Sequence, residues 1–407
     1  MYNNYITFIS KLFMFSNSKI TKEIFINEYW QKKPLLIKNA FPNFESPISA
    51  DELAGLSLED GIESRVVTYD RSLGKQNQYK VFNGPFEEDF YQNLQKDNYT
   101  LLVQGVDKIV PEVCELFSKF NFIPQWRIDD VMISYAEKGG NVGPHYDNYD
   151  VFIMQAEGQR TWSLTSKKCN IENYVDKTAI RLMDSFIVEE EYTLEAGDIL
   201  YIPAEIGHHG ISDTHESLSY SFGYRSYQAM ELWESFGDYL SEKNTASNLF
   251  YKDPNWNDIS STGEISESAI AEAKSLMQKL LDDNYNFKQW FGKFVTSIDA
   301  SSEELLPETL HNNRNATIDN FLCELLSSDG LVKDTTCRMS YTLANEYSKF
   351  ELFVNGNEWD IENVDTKLIM LVANNYSVSI TKLKPFIEKP DNLVFLFELW
   401  KLQWLYI

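Results

Sequence analysis

Between residues 60 and 225 the chain is a succession of short runs rich in β-branched and aromatic residues: SRVVTYD, YTLLVQGV, DVMISYA, YDVFIMQ, QRTWSLT, DILYIP and SLSYSFGY. Turn-forming stretches part them: GGNVGP, AEGQ, LEAGD and AEIG. Such side chains suit a pleated, half-buried surface, and Gly-, Asn- and Asp-containing breaks suit tight turns. Most of these runs have no helical stretch between them. Antiparallel pairing and closure into an all-β barrel therefore fit better than a doubly wound parallel sheet. Glu157-Gly158, between two strand runs, predicts a tight hairpin.

The flanks read differently. Residues 17–30 predict an amphipathic helix, with Ile20 and Ile24, then Phe25 and Tyr29, four apart on one broad face and Ile26 outside it. KPLLIKNAF (33–41) predicts a short buried strand, and Ser49 followed by Glu52 has the pattern of a capping box. After Arg225 the period becomes helical, over 228–242 and 267–294, with polar loops at 254–263 and 297–304. The last hundred residues predict a helix at 317–327, a hairpin centred on Asn355-Gly356, and helices at 364–374, 379–387 and 391–405. Helices with a two-stranded wing make a winged-helix-like module.

Charge narrows the function. Among 407 residues, 36 Lys and Arg face 61 Asp and Glu, a formal charge of −25. Such a chain repels phosphate backbones, so direct nucleic-acid binding is not expected. From Thr335 to Ile407 seven basic residues face nine acidic ones, where a wing that reads duplex DNA would carry a basic face. The acidity serves either a basic protein partner or solubility alone. Cys114, Cys169, Cys323 and Cys337 form no Cys-x-x-Cys pair, which fits a reducing cytosol better than a disulfide framework. The apolar stretch from Tyr5 to Phe15 is broken by Ser10 and Lys11, and no other window approaches the roughly 18 apolar residues of a membrane span. A soluble, cytoplasmic protein is expected.

Chemistry concentrates in GPHYDNYDVFIMQAEGQRTW (143–162) and LEAGDILYIPAEIGHHG (194–210). His145 and Asp147 stand two apart, a spacing that turns both side chains the same way on an extended segment. His208 follows 63 residues after His145, just beyond the strand that ends in Ile202-Pro203. Two His and one carboxylate occupy one face of an octahedral metal and leave three positions open. That suits Fe(II), which has to bind a co-substrate and dioxygen. Arg160, one strand and one turn after Asp147, is placed to return to the barrel interior. An always-charged guanidinium there would hold the far carboxylate of a dicarboxylate co-substrate with two parallel hydrogen bonds. His215 and His311 read as surface or core residues, and Trp290 and Phe291 as helix-packing anchors.

These two segments resemble the JmjC-type 2-oxoglutarate oxygenases, and within them the bacterial ribosomal oxygenases, the ribosomal protein arginine hydroxylases. EYWQKKPLLIKNAF, ISADELAGL, WRIDDVMISYA and FKQWFGKF are similar to that family at corresponding positions, so the resemblance spans nearly the whole chain. It implies a double-stranded β-helix of cupin type at 1–226, a helical dimerisation segment at 227–299 and a winged-helix-like α+β domain at 300–407. Carried over, His145, Asp147 and His208 are the iron ligands, Arg160 anchors 2-oxoglutarate, and Ser134 adds a co-substrate contact. Ser219 falls near a position where relatives are expected to carry Asn, and His209 stands where Glu is expected. Neighbouring side chains on a strand diverge, so His208 and His209 do not both bind the metal, and the family pattern selects His208. The family-like sequence starts close to Met14, so residues 1–13 are expected to matter little for catalysis.

The implied reaction consumes Fe(II)-bound 2-oxoglutarate and dioxygen and hydroxylates the β-carbon of an arginine in a large-subunit ribosomal protein. The helical stripe alone fits packing within the chain or against a second copy, and the resemblance implies a homodimer built from these helices. Two other readings stand beside it. One is the same chemistry on a different target, as a histidyl hydroxylase or methyl-lysine demethylase. The other is a non-catalytic cupin-like protein that acts through its winged-helix module.

Overall fold

The computed structural model describes residues 20–407 other than 75–76, 121, 170–173, 176–177, 245–247, 259, 311–312, 314–315 and 345–348. Residues 1–13, the first residues of the expected helix over 17–30, and His311 lie outside the described residues. The chain divides into two compact units. One takes in the chain up to Ser226 with Asp299–Glu308 and Lys333–Thr336; the other holds Tyr227–Ile298, Thr309–Val332 and Cys337–Ile407.

The first unit is built on eleven strands: β1 Leu35–Ile37, β2 Ser64–Tyr69, β3 Tyr79–Asn83, β4 Tyr99–Val103, β5 Ile128–Ala136, β6 Asp150–Glu157, β7 Gln159–Lys168, β8 Glu190–Glu195, β9 Ile199–Ile202, β10 Ile206–Ser212 and β11 Ser217–Tyr224. Eight form one sheet in the order β1-β9-β6-β11-β5-β4-β2-β3, and the other three form a second in the order β10-β7-β8. All the pairings are antiparallel. This is the double-stranded β-helix that the resemblance implied. Val151, Ile153, Leu200 and Ile202 of the large sheet pack with Trp162, Leu164 and Leu194 of the small one, so a core lies between the two. The opposite face of the large sheet carries Phe152, Tyr201, Tyr220, Phe222 and Tyr224 into a second, larger core. Phe25 and Trp30 close over that core, with Phe25 5.0 Å from Tyr201 and Trp30 5.3 Å from Tyr224, ring centre to ring centre.

Several elements depart from the sequence reading. The first helix is shorter than expected. Its α-helical turn is Lys22–Ile24, capped by Thr21, and Phe25–Tyr29 then winds as a π-helix in which Trp30 N bonds Phe25 O at 2.9 Å. The wider turn sets Phe25 and Trp30 together on the core side, which a strict 3.6-residue period does not. β3, β8 and β10 lie outside the strand runs read from the sequence. They are the outer strands of their sheets, where the Glu-rich EEYTLE of β8 suits an edge that must not pair further. A turn does form at Gly158 (φ 67°), yet it is not a hairpin. β6 lies between β9 and β11 in the large sheet, and β7 lies between β10 and β8 in the small one. AEIG is only half a turn, because Ile206 and Gly207 already belong to β10. The capping box on α1 (Ala50–Leu56) is present, with Ser49 N donating to Glu52 Oε2 at 2.8 Å and Glu52 N to Ser49 Oγ at 3.3 Å. A second short helix, α2 (Pro111–Leu116), lies between β4 and β5.

In the second unit, α3 (Ala229–Lys243) precedes a helical stretch that is two helices, not one: α4 (Glu267–Leu281) and α5 (Asn284–Thr296). Asp283 breaks the stretch by capping α5, its carboxylate accepting from Asn286 N at 3.1 Å. Trp290 is buried there against Phe236 at 5.0 Å, and its Nε1 donates to Ser235 Oγ at 3.0 Å. The expected loops contain short helical turns, Trp256–Asp258 here and Ala300–Glu303 in the first unit. Next come α6 (Ile318–Ser327), β12 Gly330–Lys333, β13 Met339–Thr342, β14 Glu351–Val354, β15 Asn357–Trp359, α7 (Thr366–Asn374), β16 Ser377–Ser379, α8 (Ile380–Ile387), α9 (Pro390–Lys401) and β17 Leu405–Tyr406. The wing has three strands, β13-β14-β15, and turns at Asn355-Gly356, both at positive φ. The last helix stops at Lys401 because Gln403 takes φ 59°. β17 then pairs beside β12 in a β16-β12-β17 sheet. Among the described residues no helix is long and apolar enough to cross a membrane.

The first unit sets a buried carboxylate, Asp107, near a half-buried one, Asp130. Asp107 Oδ1 accepts from Val131 N at 2.6 Å, and Asp130 Oδ2 accepts from Gln104 Nε2 at 2.7 Å. Burial raises Asp107 to about 7 with Asp130 beside it, and burial with Asp129 adjacent raises Asp130 to about 6. Both folded-state values lie above the unfolded carboxyl near ~3.9. The stability they contribute is therefore complete below about pH 4 and is lost as pH rises toward 7. Asp107→Asn keeps an acceptor for Val131 N and removes the charge. Calorimetry should find its melting temperature above wild type at pH 8, by roughly 2–4 °C per kcal/mol relieved, with the gap shrinking at pH 5.

Candidate metal centre

Period-2 alternation gives the space between the sheets its chemistry. On β6, Val151, Ile153 and Gln155 point inward; on β7, Arg160, Trp162 and Leu164 do. β10 pairs with β7 so that His208 lies opposite Leu164, Gly210 opposite Trp162 and Ser212 opposite Arg160. Cross-strand partners share a face, so His208 points inward and His209, opposite Ser163, points outward. An irregularity between Ile206 and His208 sets this register, with Gly207 N bonded to Thr165 Oγ1 at 3.0 Å. Gly210 has to be glycine. A Cβ there would stand 2.7 Å from the Trp162 indole, whose ring centre is 5.9 Å from that of His208.

His145 comes from the loop before β6 and is held to β10 by a reciprocal bridge. His145 N donates to His208 O at 3.0 Å, and His208 N to His145 O at 2.7 Å. The two imidazole centres are 4.3 Å apart. Each ring donates Nδ1–H to a backbone carbonyl, His145 to Gly143 O at 2.9 Å and His208 to Ile206 O at 3.0 Å. Carbonyls only accept, so both Nε2 atoms are left with their lone pairs. Asp147 Oδ2 lies 3.5 Å from His208 Nε2, and one ligand atom from each of His145, Asp147 and His208 falls within 4.8 Å of the others. Burial, then the neighbouring His145, lowers His208 to about 4, which keeps the imidazole neutral at physiological pH.

Along the same inner face lies Arg160, four residues from the β7 partner of His208. It is only 5% exposed, and burial lowers it to about 10, still charged at neutral pH. Nη1 donates to Ser134 Oγ at 3.0 Å and Nη2 reaches Ser217 O at 3.5 Å, but Nε has no hydrogen-bond partner among the described residues. A buried, charged and incompletely satisfied guanidinium is costly unless a carboxylate joins it. Ser219 is also buried on this face, where its hydroxyl donates to Gln155 Oε1 at 3.0 Å. Gln155 Nε2 in turn donates to Ser217 Oγ at 2.9 Å.

The matches to known proteins bear on this geometry. The family model for the JmjC domain matches residues 115–232, and that for the ROXA-like winged helix matches 279–406. The chain is 37% identical to the ribosomal protein uL16 3-hydroxylase of Escherichia coli (strain K12) over 274 residues, covering 67% of this chain and 70% of the relative. It is 30% identical to a probable ribosomal oxygenase of Haemophilus influenzae over 384 residues, covering 92% and 91% of the two chains. The chain belongs to the JmjC ribosomal oxygenase family. A solved structure of the Escherichia coli ribosomal oxygenase YcfD in complex with cobalt and 2-oxoglutarate superposes with a TM-score of 0.77 at 29% identity. The match covers 95% of this chain and 98% of that one.

In this ribosomal oxygenase the structure brings His145, Asp147 and His208 together and joins Ser134 to Arg160. Ser219 it joins to Gln155 instead. Sequence reading missed Gln155, Trp162 and Asn141, all buried around the centre. For Gln155 a signal existed, since it continues the inward series Val151, Ile153 on β6. Asn141 carried none, because only the folded loop shows what it bonds.

Proposed function

We propose that this chain is an Fe(II)- and 2-oxoglutarate-dependent protein hydroxylase that oxidises the β-carbon of an arginine in a large-subunit ribosomal protein. The observation that carries the reading is the pairing of two features on one inner face. One is three ligand atoms within 4.8 Å; the other is a buried arginine whose Nε lacks a partner.

The residues present fit the groups implied. Two imidazole nitrogens and one carboxylate make the facial donor set that iron of this class uses, with His145, Asp147 and His208 as its ligands. Arg160, with Ser134 beside it, would hold the far carboxylate of 2-oxoglutarate. When bound, Fe(II) with its co-substrate and dioxygen supplies oxidative decarboxylation coupled to hydroxylation of a C–H bond. The chain supplies placement. The Gly143 and Ile206 carbonyls fix both rings, and Trp162 and Leu164 keep water from the inner wall. Ser219, through Gln155, shapes the co-substrate end of the cavity. The formal charge of −25 suits a basic target and would speed encounter in a salt-dependent way. A ribosomal substrate puts the enzyme in the cytoplasm.

The reading includes a two-fold homodimer built from the helices of 227–299. No residue of α4 is buried within the chain, and Ile270 and Met277 are 37% and 42% exposed on its apolar stripe. A self-complementary patch of this kind is most simply covered by a second copy. The segments 1–226 and 300–407 are then the catalytic and winged-helix-like domains, apart from Asp299–Glu308 and Lys333–Thr336, which belong with the catalytic unit.

Three measurements test this. His145→Ala and His208→Ala should each abolish succinate production from 2-oxoglutarate and stoichiometric iron binding with the fold intact. His209→Ala should still take up one equivalent of iron at saturation, and the reverse pattern would assign the wrong histidine. Arg160→Ala should weaken 2-oxoglutarate binding about 10- to 150-fold, the equivalent of a charge-assisted contact worth roughly 1.5–3 kcal/mol. Light scattering at micromolar concentration should give twice 47.3 kDa. Ile270→Glu with Met277→Glu should shift that mass toward monomer.

A further inference from the structure

The loop that delivers His145 runs alongside β10 and is tied to it by backbone bonds at its two ends. At one end Gly139 N donates to Ser212 O at 2.8 Å and Ser212 N to Gly140 O at 3.1 Å; at the other is the His145–His208 bridge. Between them the loop turns through Val142 and Gly143, with Gly143 at φ 77°. The tie across this middle stretch is made by side chains. Asn141 is buried, and its Oδ1 accepts from Tyr79 Oη at 2.7 Å, Gly143 N at 3.0 Å and His209 Nε2 at 3.1 Å. Its Nδ2 donates to Gly139 O at 2.9 Å. A backbone N–H can only donate, so the Gly143 bond fixes which way the Asn141 amide faces. His209 Nε2 must then carry the hydrogen.

The consequence reaches the metal ligands by a short path. His209 holds Asn141, Asn141 holds the Gly143 peptide, and the Gly143 carbonyl accepts the Nδ1–H that sets the His145 ring. His209 itself points away from the ligand atoms, opposite Ser163 on the outer face of β10. We propose that His209 is a positioning residue of the metal centre, acting through its Nε2–H bond to Asn141 to hold the His145 loop at the spacing that metal binding requires. This rests on the reading of His145, Asp147 and His208 as the ligands.

Cobalt(II) titration of the full chain, followed by its visible d–d absorption, tests it without turnover. His209 is only half-buried, so replacing it spares the core. His209→Leu should raise the cobalt Kd about 10-fold, the low end of the roughly 10- to 100-fold cost of losing a group bonded directly to a ligand, because His209 acts through Asn141. His209→Gln, whose side-chain amide can place a donor at nearly the same point, should stay within about threefold of wild type. In an Asn141→Ala background, His209→Leu should add less than about threefold, because the acceptor has gone. A His209→Leu Kd close to that of wild type would overturn the inference alone, as would a His209→Gln Kd as weak as that of His209→Leu. Failure of the wild-type chain to bind cobalt at all would overturn the metal-centre reading and this inference with it.

Discussion

The register between β7 and β10 governs everything functional in the first unit. Side chains alternate across a strand, so a slip of one residue would turn His208 out and His209 in, and would separate Ser212 from Arg160. Three local features oppose that slip. The irregularity at Gly207, where β7 advances four residues from Lys168 to Leu164 against two on β10, fixes which residue faces Leu164, Gly210 leaves room for the Trp162 indole, and the reciprocal His145–His208 bridge pins the facing loop. A histidine from a loop and one from a strand meet because backbone hydrogen bonds join their peptides directly, so neither ring depends on side-chain packing alone for its placement.

The inner cavity carries polar groups that would ordinarily destabilise a sheet interior. Gln155, Ser217 and Ser219 satisfy one another, and Ser134 takes one arm of Arg160. The guanidinium remains under-satisfied at Nε. Burial of this kind is costly in the free protein and becomes favourable when a carboxylate arrives, which makes the cavity selective for an anion. The cost is borne by the opposite face of the large sheet. There Phe25, Trp30, Phe120, Phe152, Tyr201 and Tyr224 form a dense aromatic cluster, with Phe120 5.3 Å from Phe152. One sheet thus serves two purposes, stability on its outer face and chemistry on its inner face.

Segments distant in sequence complete the first unit. Lys108 Nζ lies 2.8 Å from Asp299 Oδ2, and Thr335 Oγ1 donates to Lys108 O at 2.7 Å. These contacts explain why Asp299–Glu308 and Lys333–Thr336 belong with the β-rich unit although the residues around them fold into the other. Chain order alone misassigns such segments, since short polar stretches carry no hydrophobic period to place them.

The sequence by itself determined the antiparallel β class, the Ser49 capping box, the Asn355-Gly356 turn and the candidate residues His145, Asp147, His208 and Arg160. Each of these rests on local chemistry: alternation, caps, turn residues, and donor types that few other roles require. The tertiary structure alone decided which sheet each strand joins, so that the Gly158 turn became a crossing between sheets. It also split 267–294 into two helices and ended the last helix at Lys401. Strand partners and the π-wound Phe25–Tyr29 turn depend on what packs across from them, which no local pattern encodes. The family resemblance selected His208 over His209, and the tertiary structure supplies the physical reason. Adjacent histidines are equivalent as residue types, and only the pairing of β10 with β7 gives one an inward face and leaves the other to hold Asn141.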